Sequence, residues 1–536
     1  MGKTPNIIGL TLEGFQVFDK STYIALEGLT LLFGPNSAGK SAIQDAIELC
    51  GELLHTDSRY PLPAWAQRHW RRTGNANNPY AEKMCVGMKF TTEAHLPHVV
   101  PGAIDRELII EQELKKPLQV ESKWQFLEHL SISHDEDEDE NSFLNRSNWT
   151  YEFSIDSELL LLYRHKKGSI EVNLNHWLLR SIEKKIDFAK VAENHPDETS
   201  FQNGIFTIKY GLAGFNPEGA RNDPNWLQYR KATFFSVAVT EILLLEAVKE
   251  ISLLLGTTLF FTFEAASYGT YLVNASRKIP TSDELTFELA RGDEPNYWPL
   301  QNDRLYKSLL EGNQQYLLLA QSLTSELRGG KNKAFAENVN RALSDHLFLE
   351  QGYRLDFDFN VLLSKANSAA AQKGVKLDIS EFCYLVELFL RDGHGRKHLF
   401  EDVGSGIGYV LPVLCSAFSA NNCFIQQPEL HLHPALQAAL GDVFIEASGL
   451  SRQVLVETHS EHMLLRILKR IRQTHLQTNI APELKINADS VCVLYFDPSP
   501  DGTTTVKRLR ITEDGEFMDR WPRGFFAERD QELLDE

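Results

Sequence analysis

Residues 34–41, GPNSAGKS, match the phosphate-loop pattern G-x-x-x-x-G-K-[ST] at every fixed position. An apolar run at 29–33 precedes them and a helical pattern at 41–54 follows, which is the strand, loop and helix context that the motif requires. In such a loop the glycines let backbone N–H groups turn towards phosphate oxygens, and the helix N-terminus adds partial positive charge. The sequence therefore predicts a nucleotide site, with Lys40 on the β- and γ-phosphates and the Ser41 hydroxyl on Mg²⁺.

The composition is that of a globular chain. With 536 residues, 43% of them hydrophobic and 24% charged, the chain has material for about three or four domains. The six cysteines show no C-x-x-C pair and no metal-ligand spacing, which predicts reduced thiols in a cytoplasmic protein. The longest apolar helical pattern, at 232–255, contains charged residues such as Glu241 and Lys249, so we expect a buried helix and no membrane contact.

The net charge of −19 excludes a protein that coats nucleic acid over its whole surface, because neutralising phosphates needs an excess of Lys and Arg. Local basic clusters remain as candidates for DNA or RNA contact, and the alternative for each is a solvated helix or loop face. The clusters are Arg68, His69, Arg71 and Arg72 around Trp70; His165, Lys166 and Lys167; and Arg466, Lys469, Arg470 and Arg472.

The pattern along the chain changes twice. Residues 7–33 favour strands, and short alternating runs at 84–90, 108–113, 149–155, 159–163 and 170–174 predict an antiparallel sheet beside the nucleotide site. The acidic run 135–140 indicates a solvated hairpin tip or, alternatively, a site for a basic partner. From about 177 to 379 the pattern turns helical, with long helices expected at 229–255, 303–328 and 333–348.

Three polar segments follow in the C-terminal part, after a hairpin signal at 392–395. Residues 403–409, VGSGIGY, open a helix and present backbone N–H groups and a hydroxyl to an anion, although an ordinary glycine turn has the same pattern. Two apolar strands, at 423–425 and 454–456, end in QQPELHLHP and ETHS. Open α/β sheets bind ligands at the carboxyl ends of their strands. The presence of these segments in a chain that also has a phosphate loop therefore favours a ligand-binding role for each of them.

The order of these motifs resembles that of the ABC-type ATPase heads of SMC-like, RecF-like and overcoming-lysogenization-defect-like proteins. The segments PELHLHP, ETHSEH and ITEDGEFMDRWPRGFF resemble a prokaryotic, defence-associated subgroup, the Septu-type or retron-associated ATPases. The resemblance covers roughly residues 1–120 and 380–536. It implies an α/β fold: a P-loop NTPase sheet with an antiparallel β lobe, formed by 1–175 and 380–536, and a mainly helical insertion at 176–379.

The resemblance also implies roles for individual residues. His459 would be the switch histidine, and residues 431–433 would fall at the D-loop. A second subunit would complete the site, so the family pattern implies a homodimer or a higher assembly. Alternatively, His431, His433 and His459 could ligate a metal. Residues on the nucleotide and its Mg²⁺ would be Gly34, Pro35, Asn36, Ser37, Ala38, Gly39, Lys40, Ser41 and Ala42, with Gly404, Ser405 and Gly406 on the γ-phosphate held by the other subunit.

One departure from the family pattern concerns hydrolysis. ABC heads have a Mg²⁺-positioning acid and then a water-activating glutamate after the Walker B strand, whereas this chain has Gln426 at the predicted metal position and Gln427 at the predicted catalytic position. An amide carries no negative charge for the metal and accepts no proton at neutral pH. We therefore expect conversion of ATP and water to ADP and phosphate to be slow or absent unless Glu429 or Glu457 acts as the base. A sequence altered to trap bound nucleotide would have the same pair.

Two classes of function follow. In the first, an ATPase closes as a dimer around ATP and controls a separate effector, such as an HNH-type nuclease, in anti-phage defence. In the second, a hydrolysis-deficient scaffold holds ATP and organises the effector; an SMC-like repair ATPase acting on DNA ends is a further alternative. Arg277, after the strand-like residues 271–273, would either reach the partner's phosphates or lie on the surface.

Overall fold

The computed structural model of the protein divides into two compact units. The first comprises residues 1–26, 35–269 and 496–506, and the second comprises 27–34, 270–495 and 507–536. Each unit is therefore assembled from segments distant in sequence. The residues that the structure describes are 6–55, 69–75, 78–92, 118–127, 149–164, 169–176, 187–194, 196, 199–209, 270–277, 279–281, 284–289, 313–324, 333–362, 383–419 and 422–522.

Strands and helices alternate irregularly along the chain. The strands are β1 (Asn6–Glu13), β2 (Thr22–Ala25), β3 (Leu29–Phe33), β4 (Arg72–Asn75), β5 (Asn78–Tyr80), β6 (Met84–Thr92), β7 (Leu118–Phe126), β8 (Trp149–Ile155), β9 (Glu158–Arg164), β10 (Ser169–Asn173), β11 (Thr199–Gln202), β12 (Ile205–Lys209), β13 (Thr270–Val273), β14 (Thr286–Leu289), β15 (Arg354–Leu362), β16 (Cys383–Arg391), β17 (Lys397–His398), β18 (Asn422–Gln426), β19 (Gln453–Glu457), β20 (Val491–Pro498) and β21 (Thr504–Leu509). The α-helices are α1 (Ala42–His55), α2 (Phe188–Asn194), α3 (Asn313–Leu323), α4 (Ala334–Arg341), α5 (Ser405–Ser419), α6 (Pro434–Gly449) and α7 (Glu461–His475).

An antiparallel sheet of nine strands dominates the first unit, in the order β11-β12-β10-β9-β8-β7-β6-β1-β2. Helix α1 packs against β6 and β1, and its buried side chains include Ile43, Ala46 and Cys50. The strands predicted near 84–90, 149–155, 159–163 and 170–174 are thus confirmed. The predicted strand at 108–113 and the acidic run 135–140 lie outside the described residues.

A six-stranded sheet forms the centre of the second unit, in the order β13-β18-β19-β3-β20-β21. The first five of these strands run parallel. Every residue of β3 is buried, as expected for a parallel strand covered on both faces. Helices α5 and α6 supply much of the core: Leu411, Leu414 and Phe444 are fully buried. With the antiparallel lobe, this arrangement confirms the α/β fold class predicted from the sequence.

A smaller antiparallel sheet in the second unit consists of β14, β16 and β15, and β17 pairs with β16. It confirms the hairpin predicted at 392–395. Helix α3 contacts α4, α5 and β14, and α7 packs along α6. None of the helices in the described part of the chain has the length and apolarity that a membrane crossing needs.

The helical pattern predicted for 177–379 is wrong in part. The structure has β11, β12, β13, β14 and β15 within this range. Strand β13, where Leu272 pairs with Phe424 at the edge of the parallel sheet, matches the strand-like pattern at 271–273. Strands β14 and β15 both pair with β16, and this tertiary pairing determines their structure, which the pattern alone does not. Helices α3 and α4 lie in the predicted helical regions 303–328 and 333–348, whereas 229–255 lies outside the described residues. The boundaries at 176 and 379 remain a prediction.

Candidate nucleotide site

Three segments with predicted function leave the parallel sheet at the same edge. Strand β19 lies between β18 and β3, and Glu457 is in register with Gln426 on one side and Leu32 on the other. Two further backbone bonds extend the ladder: Gln427 N–H donates to Glu457 O at 2.7 Å, and Thr458 N–H donates to Leu32 O at 3.2 Å. Because ligands bind at the carboxyl ends of parallel strands, this edge of the second unit is the candidate site, and Gly34 follows β3 directly.

The phosphate loop continues into the first unit with the backbone that its motif requires. Ser37 and Gly39 have φ values of 64° and 89°, in the left-handed region that glycine adopts without cost. A Cβ at Gly39 would collide with the Val17 side chain, so only glycine fits. Lys40 is buried and its Nζ donates to Pro35 O at 3.0 Å, and Ser41 is exposed before α1. The positive φ values and the buried Lys40 are compatible with a phosphate-binding loop, and the role of Ser41 at a divalent metal ion remains a prediction.

A hydrogen-bonded network in the first unit fixes the loop that carries Val17. Gln16 Nε2 donates to Asp45 Oδ2 at 2.6 Å and lies 2.6 Å from His69 Nδ1. The Gln16 backbone N–H donates to His69 O, also at 2.6 Å. Since Asp45 belongs to α1, the network ties the residues after β1 to the helix that follows the phosphate loop. The sequence indicated none of these contacts, and it placed His69 in a basic cluster.

The glycine-rich signature segment opens α5, as predicted. Gly404 and Ser405 are exposed, and a Cβ at Gly404 would meet no atom within 4 Å. Gly408 lies so close to Ile279 that a Cβ would approach its Cγ2 to 2.5 Å. One turn into the helix, the Tyr409 ring stacks on His431, with centroids 4.3 Å apart and an interplanar angle of 20°. The segment therefore combines an exposed helix N-terminus with close packing immediately behind it.

Gln426 and Gln427 end β18 in different ways. The side-chain oxygen Oε1 of Gln426 accepts a hydrogen bond from the Ala275 backbone N–H at 3.4 Å. Gln427 has a φ of 43°, an uncommon conformation for a residue with a Cβ. The oxygen that we predicted to face a metal ion thus contacts the loop after β13. The metal-binding role of Gln426 and the catalytic role of Gln427 remain predictions.

Arg277 contacts backbone carbonyls on two elements of its own unit. Its Nε donates to Tyr409 O at 2.9 Å, and Nη1 and Nη2 donate to Gln426 O and Gln427 O, each at 3.0 Å. The side chain is half-buried; burial lowers the pKa of the guanidinium, and the nearby Glu429 carboxylate raises it. Arg277 is therefore no freely exposed surface arginine, and its reach to a partner's phosphates remains a prediction.

Glu429 links the ends of β18 and β19. Its Oε2 accepts from Thr458 Oγ1 at 2.9 Å and its Oε1 accepts from the His459 backbone N–H at 2.8 Å. Burial raises the pKa of this carboxyl, and the hydrogen bonds and the charge of Arg277 oppose that rise. Glu429 therefore holds the segments after β18 and β19 together. The proposed base roles of Glu429 and Glu457 and the switch role of His459 remain predictions.

The alternative metal site at His431, His433 and His459 is not supported. His433 caps α6, its Nδ1 accepting from the Ala435 N–H at 3.3 Å, and His431 stacks on Tyr409. Among the described residues no group of three or more His, Cys, Asp or Glu side chains is arranged to hold a metal ion.

Several described residues of the basic clusters are engaged within the protein, whereas Arg72 and Lys469 are exposed. Arg71 Nε donates to Asp19 Oδ1 at 3.0 Å, and Trp70 is buried. Arg466 and Arg470 both pair with Asp442, at 2.5 and 2.7 Å. Arg68 and the cluster at 165–167 lie outside the described residues.

Two protein-family models match parts of the chain. The model described as "AAA domain, putative AbiEii toxin, Type IV TA system" matches residues 265–465, and a second model, described as "AAA domain", matches residues 9–53. No curated protein matches the chain. Together the matched segments contain the phosphate loop and the segments predicted as signature, Walker B and switch histidine, so these two stretches are similar to AAA domains.

Solved structures of SMC heads resemble the whole chain at low similarity. An SMC head bound to the C-winged helix domain of ScpA is 13% identical, covers 94% of this chain and 98% of its own, and has a TM-score of 0.40. The SMC head domain from Thermotoga maritima is 10% identical, with coverage of 94% and 100% and a TM-score of 0.35. The head with a coiled coil and joint from Pyrococcus yayanosii is 13% identical, with coverage of 99% and 100% and a TM-score of 0.38.

Proposed function

We propose that the protein is an SMC-like ABC ATPase that binds ATP with Mg²⁺, dimerises around the nucleotide and controls a separate effector in prokaryotic anti-phage defence. The observation that carries this proposal is the register of Leu32, Glu457 and Gln426 across three neighbouring parallel strands. The strands lead into the phosphate loop, the Walker B segment and the switch-histidine segment. Because ligands bind at the carboxyl ends of parallel strands, that arrangement supports a nucleotide site at this edge of the second unit.

The nucleotide-binding role falls to residues 34–42, with Lys40 on the β- and γ-phosphates. Ser41, exposed at the start of α1, would hold the metal ion, and Gln426 would contribute through water if its side chain turned away from Ala275. Bound Mg²⁺ would neutralise the charge that develops on the phosphate oxygens during transfer. The protein's own groups orient the phosphates and keep the strand ends in register.

The exposed start of α5 supports the proposed homodimer. Gly404 and Ser405 present an open helix N-terminus, where backbone N–H groups and the helix dipole favour an anion. We assign this surface to the γ-phosphate held by a second copy, so that ATP completes the interface. ADP lacks that phosphate and should leave the copies apart.

A nucleotide-locked scaffold is the second candidate function. Gln426 and Gln427 offer no carboxylate at the Walker B end, and the Gln426 oxygen already contacts Ala275 N–H. Glu429 accepts hydrogen bonds on both oxygens, which favours a structural role for this carboxylate over a role in proton transfer. Slow turnover would hold the dimer closed for long periods, and the clamp itself would then be the functional state.

The effector and the defence role rest on the family resemblance and on the printed description of a type IV toxin–antitoxin family. We propose a nuclease of the HNH type as the partner and the cytoplasm as the location. A DNA-end repair role has less support, because Arg466 and Arg470 pair with Asp442 and so are poorly available to phosphates. Purification from the native host that yields this chain alone would contradict a stable effector complex.

Sedimentation velocity of the pure protein tests the nucleotide-driven dimer. We expect a monomer without nucleotide or with Mg-ADP, and a dimer with Mg-ATP or a non-hydrolysable analogue. Lys40→Ala should remain monomeric throughout. An oligomeric state that is the same with and without nucleotide, in the wild type and in Lys40→Ala alike, would overturn the proposal.

A further inference from the structure

We propose that Arg277 is a positioning residue that couples the signature helix α5 to the loop after β18, so that movement of one moves the other. This inference rests on the proposed function, because it concerns how a partner's nucleotide at Gly404 and Ser405 would affect the Walker B end. The relevant loop follows β13 at the edge of the parallel sheet, and its described residues are 274–277 and 279.

Three donors of one guanidinium define the coupling. Nε bonds to Tyr409 O in α5, whereas Nη1 and Nη2 bond to the carbonyls of Gln426 and Gln427, at distances of 2.9, 3.0 and 3.0 Å. Nη1 also lies 3.4 Å from Asn274 O, within its own loop. The guanidinium is a rigid planar fork, so its donors keep a fixed mutual geometry. The helix and the strand end therefore cannot shift independently without breaking at least one of these bonds.

Further contacts close a triangle among the three segments. The loop that carries Arg277 contacts α5 a second time where Ile279 packs against Gly408, with no space for a Cβ on Gly408. The same loop contacts the Walker B end a second time through Ala275 N–H and Gln426 Oε1. Helix α5 and the segment after β18 meet directly through the Tyr409–His431 stack. The Arg277 side chain alone provides contacts from its loop both to α5 and to the end of β18.

The chain of contacts continues to β19. Arg277 is the charged group that acts on Glu429 electrostatically, and Glu429 bonds to Thr458 and to the His459 backbone N–H. If α5 moved, Arg277 would shift with it and would displace the peptide groups of Gln426 and Gln427. That shift would also change the position of Arg277 relative to the Glu429 carboxylate. This supplies a route within one subunit from the signature surface to the hydrolytic end of the site.

The test compares Arg277→Gln and Arg277→Lys with Arg391→Ala. Arg391 is a matched control, since it also bonds a carbonyl, Gly395 O, and a carboxylate, Asp356, in the same unit but lies in β16. Three properties are measured: the affinity for a fluorescent ATP analogue, the dimer dissociation constant with Mg-ATP, and backbone hydrogen exchange at 405–411 and 426–431.

Arg277→Gln should bind the analogue within about threefold of wild type, because the phosphate loop is unchanged, and weaken the ATP-dependent dimer by about tenfold or more, equivalent to 1.4 kcal/mol. Exchange should rise at 405–411 and 426–431 together. Arg277→Lys should recover little, since a point charge cannot replace the fork, and Arg391→Ala should behave as wild type in all three measurements. A dimer constant unchanged in both Arg277 variants would overturn the inference.

Failure of the proposed function has a different signature. If the wild type binds ATP but stays monomeric, the dimer proposal is wrong, and exchange in the nucleotide-free protein still decides the role of Arg277. Exchange that rises in only one of the two segments would show that they are not coupled. Should Arg277→Gln not fold, Arg277→Lys alone carries the exchange measurement with the same two outcomes.

Discussion

The side-chain oxygen of Gln426 accepts a hydrogen bond from the backbone N–H of Ala275, at 3.4 Å. The residue predicted at the first Walker B position thus helps to hold the loop that carries Arg277. A glutamate there has the same length and retains an oxygen acceptor, so Gln426→Glu should preserve this contact. An alanine would remove the acceptor and loosen the loop. Substitution by glutamate is therefore the way to restore charge at the strand end without disturbing its surroundings.

The open space at Gly404 gives a prediction for the dimer. Gly404→Ala should leave the free energy of unfolding within about 0.5 kcal/mol of wild type, as for most substitutions at uncrowded surface sites. The added methyl group should nevertheless weaken the Mg-ATP-dependent dimer by about tenfold or more, because it stands where a partner's phosphate would approach. Gly449→Ala, also with nothing within 4 Å of its Cβ, is the control. Equal dimer constants for the two variants would contradict the assignment of α5 to the interface.

Gly39 gives a prediction for nucleotide affinity. Gly39→Ala should weaken binding of a fluorescent ATP analogue by about tenfold or more, because its φ of 89° is unfavourable for alanine and the Cβ collides with Val17. The double variant Val17→Ala/Gly39→Ala should recover part of this loss, since only the collision is relieved. If Gly39→Ala binds the analogue like the wild type, the phosphate loop has been misassigned.

The pKa of Glu429 gives a prediction for stability. Burial raises this pKa above its ordinary value of 4.5, against the opposing bonds from His459 and Thr458 and the charge of Arg277. The folded state then holds the proton more tightly than the unfolded state, so the contribution of this group is fully present below the unfolded pKa and is lost as pH rises through the folded pKa. The unfolding free energy of wild type minus that of Glu429→Gln should therefore fall as pH rises above 4.5.

Urea denaturation of both proteins between pH 4.5 and pH 8 measures this difference. Glu483→Gln, at an exposed position of the same unit, is the control. A difference that grows with pH would show that hydrogen bonding to the carboxylate outweighs its burial.

Buried ion pairs between α6 and α7 should dominate the effect of charge substitutions on stability. Asp442, 5% exposed, pairs with Arg466 and Arg470, which are 29% and 16% exposed. Asp442→Ala should lower the free energy of unfolding by about 2–3 kcal/mol, less than for a fully buried pair because water reaches both arginines. Glu516→Ala, at an exposed pair with Arg472, should cost less than about 1 kcal/mol. Similar costs in chemical denaturation would contradict this reading of the network.

Much of the fold was predictable because its signals are local. The phosphate loop, β3, β18, β19 and the start of α5 each have an apolar run or a glycine pattern that specifies them within a few residues. Strand β14 was not predictable, since only its pairing with β16 distinguishes its four residues from part of a helix. The positive charge of the basic clusters was evident from the sequence. The acidic residues that pair with them, such as Asp442 with Arg470, were not.

The sequence predicted the motifs of the site but not the side-chain hydrogen bonds that hold them in place. Gln426, Gln427, Glu429 and His459 lie in segments where strand ends were expected. The contact of Arg277 with Tyr409 spans 132 positions and that of Gln16 with His69 spans 53, and no local pattern reports such pairs. A lone arginine four residues after a short apolar strand was the one available signal, and it did not indicate which groups Arg277 would bond.

Steady-state phosphate release with Mg-ATP tests the central claim most directly. It is measured for the wild type, Lys40→Ala and Gln426→Glu/Gln427→Glu. We predict slow or undetectable release by the wild type, none by Lys40→Ala, and an increase of about 100-fold or more in the glutamate variant, the range that a restored general base provides. A glutamate variant that binds Mg-ATP yet releases no more phosphate than the wild type would contradict the assignment of Gln426 and Gln427 to the hydrolytic end of an ATPase site.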